Sequence, residues 1–222
     1  MQIDQFAILV DMKSLSTSRP IVILMVGVPG AGKSHFAQQF AKLFQTPLVS
    51  YDKLQHLLFS EPQFSKDEEL LIASLMNNQI QEIFKTSKTF IIDGAVNSRA
   101  ARMEIERIAR KNDYGTLAIW VQTDLDSAKY RVTTRNKKRD GDKYNARMTE
   151  EQFDRHAPRI NPPAGKEEHV VVSGKHTFAS QAKAVLKKIV LPRDIPVATG
   201  PRPANPTPTR PHTNKRRQTM IS

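Results

Sequence analysis

Residues Gly27-Val28-Pro29-Gly30-Ala31-Gly32-Lys33-Ser34 fit the pattern G-x-x-x-x-G-K-[ST] at every fixed position. The glycines lack Cβ atoms, so the backbone can curl and aim its N–H groups inward at a polyphosphate. Lys33 adds a point charge for β- and γ-phosphates, and Ser34 a hydroxyl for Mg²⁺. The flanks narrow the fold further. Ile21 to Val26 (IVILMV) is a short apolar run suited to a buried parallel strand. After the bend, Phe36, Phe40, Leu43 and Phe44 recur at helical spacing. Strand, bend and helix in this order place a helix N-terminus under the phosphates.

A chain of 222 residues is most simply one domain with appendages. It contains no cysteine, which excludes disulfides and thiolate zinc sites. The start Met1-Gln2-Ile3-Asp4 has no basic n-region, and no apolar run approaches the ~20 residues of a membrane span. A soluble, cytoplasmic protein is therefore expected. The formal charge is +12, of which +5 lies from Pro192 onward and +7 in residues 1–191. Both parts are basic, so an anionic partner fits: nucleotide, nucleic acid or a phosphorylated metabolite.

The folded core is expected from about Pro20 to Leu191, after an N-terminal extension over 1–19. Val49–Tyr51 reads as a second strand, followed by a helix from Asp52 to Phe59 with Leu54, Leu57 and Leu58 inward. Ser65 and Glu68 form a capping box before a long helix that buries Leu71, Leu75, Ile80, Ile83 and Phe84. Thr89–Asp93 is a third strand, Arg99–Lys111 a basic helix, and Leu117–Val121 a fourth strand. Asp124 caps a helix toward Arg135, and Thr149–Gln152 is another capping box. Val170–Val172 is a fifth strand, and Ala179–Val190 a closing helix. Strands alternating with helices imply a five-stranded parallel sheet with helices on both faces, a three-layer α/β sandwich. Ligands in such sheets sit beyond the carboxyl ends of the strands. Residues 192–222 hold seven prolines and few large apolar groups, so they are expected to be a disordered basic tail.

Several residues at those strand ends carry candidate chemistry. Asp52 could accept a proton from an incoming hydroxyl, or could simply cap the next helix. Asp93 could support Mg²⁺, or could open an Asp-Gly turn with Gly94. The run from Arg131 to Asp142 places Arg131, Arg135 and Lys138 or Arg139 on one helix face, for a triphosphate or for solvent. A small mobile lid is expected at about 139–148. Among His35, His56, His156, His169, His176 and His212 no metal spacing recurs, and only His35 falls in the first turn after the bend.

Together these segments resemble P-loop kinases of the polynucleotide 5′-hydroxyl kinase and zeta-toxin-like, AAA_33-type ATP-binding group, over roughly residues 20–160. Gly27–Ser34 resembles that group's G-x-P-G-[SA]-G-K-S loop. Ser50–Leu54 resembles the stretch after strand two, with Asp52 at the base; Phe90–Asn97 resembles the third strand and its loop. Thr134–Arg139 resembles the lid helix, whose arginines contact the triphosphate. The resemblance implies the P-loop NTPase fold and transfer of the γ-phosphoryl group of ATP·Mg²⁺ to a hydroxyl. Gly27, Val28, Pro29, Gly30, Ala31, Gly32, Lys33, Ser34 and His35 would bind the nucleotide, and Ser34 and Asp93 the metal. Lys33, Asp52, Arg135 and Arg139 would act on the transferring group. Two positions depart from the group. Gln55 stands where polynucleotide kinases commonly place an acceptor-holding Arg, and His35 where Thr is frequent.

The acceptor stays open between a nucleic-acid 5′ end and a small molecule. A nucleoside monophosphate kinase fits less well, because a phosphate acceptor needs no base at Asp52. A nucleotide-dependent nucleic-acid binder that transfers nothing is the rival from another class. Removing residues 192–222 distinguishes them. Turnover is expected to survive, whereas a tail-driven binder loses nucleic-acid affinity and most of its salt dependence in a binding titration.

Overall fold

The computed structural model describes residues 17–63, 65–135, 143–145 and 147–190. The expected extension, except for its last three residues, half of the expected lid including Arg139, and the C-terminal tail lie outside them. Five strands form one parallel sheet in the order β2-β3-β1-β4-β5. They are β1 (Ile21–Val26), β2 (Leu48–Ser50), β3 (Phe90–Asp93), β4 (Gly115–Gln122) and β5 (His169–Ser173). β1 is central and buried at all six positions, as its unbroken apolar run requires. Its alternate residues divide between two cores. Ile21, Ile23 and Met25 face α1 (Lys33–Phe44) and the closing helix Phe178–Val190; Val22, Leu24 and Val26 face the helices Lys66–Phe84 and Arg99–Lys111. Phe36 and Phe40 stack at 5.5 Å in the first core, and Phe84 meets Tyr114 edge-on at 4.9 Å in the second.

Register sets the strand ends level. Ser50 pairs with Asp93, and Asp93 with Met25, so the turns after β2, β3 and β1 emerge side by side. Between the strands run α2 (Tyr51–Leu58), α3 (Lys66–Phe84), α4 (Arg99–Lys111), α5 (Leu125–Thr133), α6 (Glu150–His156) and α7 (Phe178–Val190). The expected caps on α3, α5 and α6 form: Ser65, Asp124 and Thr149 each accept an amide hydrogen bond. Thr149 and Gln152 close the full reciprocal box, while Glu68 turns instead to the Gln63 amide.

Four local expectations are corrected. Asp52 is not a helix cap: Ser50 accepts the Lys53 amide, and Asp52 sits inside the first turn of α2. On α2 the buried residue is Gln55, while Leu57 and Leu58 are 76% and 43% exposed. On α3 the buried stripe is Ile72, Met76, Ile80 and Phe84, with Leu71 exposed. Finally, α5 ends at Thr133, so Arg131 and Arg135 do not share one helix face.

The loop after β3 is held by a buried cation. Arg102, 2% exposed, donates to both oxygens of Glu167 at 2.7 and 3.2 Å and to the carbonyls of Val96 and Asn97. Arg102→Ala is expected to lower stability by about 3 kcal/mol or more in urea unfolding, because Glu167 loses its partner. The paired replacement Arg102→Met with Glu167→Met should recover most of that loss.

Candidate active site

The bend from Gly27 to Ser34 leaves β1 and turns directly into α1. Gly32 is the residue before that helix, left-handed at φ 103°, and no side chain caps the first turn. The helices α2 to α6 all carry a side-chain cap, from Ser50, Ser65, Ser98, Asp124 and Thr149. The first-turn amides of α1 therefore remain for an external acceptor, and no acidic residue in that turn repels an anion.

The bend is braced from three sides. Asn97, from the loop that Arg102 holds, accepts the Gly27 amide at 3.3 Å. Arg131, from α5, donates to the Gly30 carbonyl at 3.3 Å. Gly174, just past β5, lies so near that a Cβ there would stand 2.3 Å from the Ala31 carbonyl oxygen. Lys33 Nζ donates to the carbonyls of Gly27 and Val28 at 2.8 and 3.0 Å, folding its charge back over the bend.

Two carboxylates adjoin this lysine. Asp93 ends β3, is 4% exposed and lies beside the Ser34 hydroxyl. Burial raises its pKa, while Lys33, the Ser34 hydroxyl and Lys53 pull it back. Asp52 lies across from it at the start of α2. Burial, and then the charge of Asp93, push the Asp52 carboxyl up to about 6, against the pull of Arg135 and Lys33. Lys33 in turn is lowered by burial and by Arg135, while Asp93 and Asp52 hold it up. A buried and a half-buried carboxylate thus share the field of two cations, an arrangement typical of sites where charge moves.

The predicted residues Lys33, Ser34, Asp52, Asp93 and Arg135 are therefore brought together, and the predicted loop Gly27–Ser34 has the curled form its glycines suggested. Arg139 lies outside the described residues. His35 is exposed and contacts Gln39 at 2.6 Å, away from the carboxylates. It borders a recess of about 300 Å³ between the start of α1 and the β5–α7 turn, lined also by Gly32, His176, Thr177 and Phe178. Sequence reasoning missed this recess, since no motif marks His176 or Thr177. It also missed the bracing role of Asn97 and the approach of Lys53, whose ammonium lies over the Tyr144 ring at 5.6 Å. Among the described residues no group of three or more His, Asp or Glu could hold a metal by itself, and no helix is long and apolar enough to cross a membrane.

Comparison with known proteins agrees with this fold. A search of the curated proteins found no sequence match. Among solved structures, a putative kinase from Chloroflexus aurantiacus superposes with a TM-score of 0.63 at 14% identity, covering 77% of this chain and 99% of that one. A sugar kinase from Janibacter sp. HTCC2649 gives 0.55 at 12%, covering 78% and 96%. The Mycobacterium tuberculosis APS kinase CysC, solved with AMPPNP and APS, gives 0.53 at 14%, covering 77% and 97%. At these identities the likeness establishes the fold. A family model described as AAA domain, AAA_33, matches residues 22–163. The chain belongs to the AAA_33 family of AAA domains and has the P-loop kinase fold.

Proposed function

We propose that the protein is a phosphotransferase that moves the γ-phosphoryl group of ATP to a hydroxyl acceptor. The observation that carries this reading is the pairing of Asp52 and Asp93 beside Lys33, directly against a bend with open amides. A protein that only holds a nucleotide has no use for a half-buried carboxylate with a raised pKa at that place.

Each group has a task in this scheme. The amides of the bend and Lys33 bind the β- and γ-phosphates. Asp52 receives the proton of the acceptor hydroxyl as its oxygen bonds to the γ-phosphorus and the bond to the β-phosphate oxygen breaks. Arg135, joined by Arg139, spreads positive charge over the transferring oxygens. Ser34 and Asp93 are the residues that would hold Mg²⁺. The Ser34 hydroxyl lies beside the Asp93 carboxylate, and such a pair suits a hard cation taking its remaining oxygens from phosphate and water. Bound there, Mg²⁺ supplies neutralisation of the phosphate charge. The recess beside His35 and His176 offers room for the nucleoside end of ATP.

Two acceptor classes remain from the sequence. The basic balance of the chain, +12, supports a nucleic-acid 5′ end reached through the lid and tail. The buried, uncharged Gln55 supports a small molecule. The deciding experiment incubates the protein with γ-labelled ATP and 5′-hydroxyl oligonucleotides, nucleosides, nucleotide sugars and aminoglycosides. Label on any of them supports a kinase; ATP bound but never transferred supports the non-catalytic rival.

Asp52→Asn is expected to keep ATP affinity in a calorimetric titration and to abolish transfer. The same variant should be more stable than the parent at pH 8, by about 1 kcal/mol or 2–4 °C. The sign follows from the raised pKa. The folded state holds this proton more tightly, so the site favours folding below about pH 4 and loses that contribution as pH rises through about 6. At pH 3 the gain should vanish. Turnover of the parent should climb with pH up to about 6 and then level, as the base ionises. Arg135→Ala and Arg139→Ala should each slow turnover by about 10³-fold while changing the dissociation constant of ATP far less.

A further inference from the structure

On α2 the rule that apolar groups go inward holds for Tyr51 and Leu54, which pack against the core, and fails further along. Leu57 and Leu58 face solvent, and a glutamine takes the inside position. Gln55 is 4% exposed, and its Nε2 has no hydrogen-bond partner among the described residues. An amide donor left in that state is destabilising, and a leucine there would not be. The position explains what the energetics do not. Gln55 follows Asp52 by three residues, so the two side chains are neighbours on the helix surface.

Residues 143–145 run beside α2, where the Tyr144 ring meets His56 edge-on at 5.4 Å and lies under Lys53 at 5.6 Å. The next residue, Asn145, is only 6% exposed. One buried carboxamide, that of Gln55, thus follows the carboxylate of Asp52 on α2, while the Tyr144 ring covers the side of the helix that carries Lys53 and His56. The nearby ammonium groups of Lys53 and Lys143 lie against the Tyr144 ring, at 5.6 and 5.5 Å.

Carboxamides offer donors and acceptors without net charge, so they match hydroxyls rather than phosphates. A phosphate placed at Gln55 would need a cation at that depth. We infer that the acceptor is a neutral, hydroxyl-rich small molecule, in which a hydroxyl next to the reacting one accepts a hydrogen bond from Gln55. This rests on the kinase reading above and adds the chemical class of its substrate.

The test compares neutral acceptors with their phosphate-bearing counterparts, using the full chain and γ-labelled ATP: hexoses against hexose phosphates, nucleosides against nucleoside 3′-monophosphates and 5′-hydroxyl oligonucleotides. The neutral partner of each labelled pair is expected to be preferred. For the best acceptor, Gln55→Leu should lower kcat/KM about tenfold or more. The loss should fall on the acceptor and leave the KM for ATP in place, with a melting temperature equal to the parent's or higher. Removing the neighbouring hydroxyl from the acceptor should cost the parent about a hundredfold or more and cost Gln55→Leu nothing further. The deoxygenated series needs no variant and carries the test if Gln55→Leu does not fold.

Preferred labelling of phosphate-bearing acceptors overturns the inference and leaves the kinase reading standing. Unchanged acceptor kinetics in Gln55→Leu with a raised melting temperature also overturns it, because the amide is then only a flaw in packing. Label on no acceptor at all removes the kinase reading and this inference together.

Discussion

The helix α1 begins without a side-chain partner for its first amides, and the rest of the site is arranged around that deficit. The helices α2 to α6 satisfy an opening N–H group with a Ser, Asp or Thr side chain. At α1 the preceding residue is Gly32, which has no side chain to offer. The deficit is stable because its neighbourhood is rigid. β1 is buried on both faces, and Asn97, Arg131 and Gly174 fix the bend from three directions. Preorganised donors of this kind need no rearrangement when an anion arrives.

The carboxylates are the counterpart of that positive end. Asp52 and Asp93 come from different strands, and the register of a parallel sheet sets them at one height. Burial disfavours both, the charge of Asp93 also disfavours Asp52, and each is rescued by Lys33; Asp52 also feels Arg135 and Asp93 feels Lys53. The balance leaves Asp52 close to its titration point near neutral pH. Lys33 meanwhile rests on the carbonyls of its own bend, so the charge that a phosphate would attract is already housed.

How much of this was readable from the chain depends on whether the cause was local. The bend, its strand and its helix were legible, because glycine placement and apolar spacing act within a few residues. So were the caps at Ser65, Asp124 and Thr149, and the carboxylate at the end of β3. The inward face of α2 was not. Hydrophobicity favoured Leu57 and Leu58, yet the helix turns Gln55 inward, and only its tertiary neighbours decide that. The buried stripe of α3 shifted for the same reason, since Ile72 and Met76 fit the sheet as well as Leu71 and Leu75 would have. The end of α5 at Thr133 carries no Gly or Pro to announce it. Contacts such as Asn97 with Gly27 join positions seventy residues apart and leave no trace in either segment.

The closeness of Gly174 to the Ala31 carbonyl has a consequence for how this chain can change over time. Two backbones touch there with no gap for even a methyl group. Any mutation at that codon must shove one strand's exit or unseat the curl beside it. The fold thus allows that site an alphabet of a single letter, although it lies outside the signature that marks the rest of the cradle.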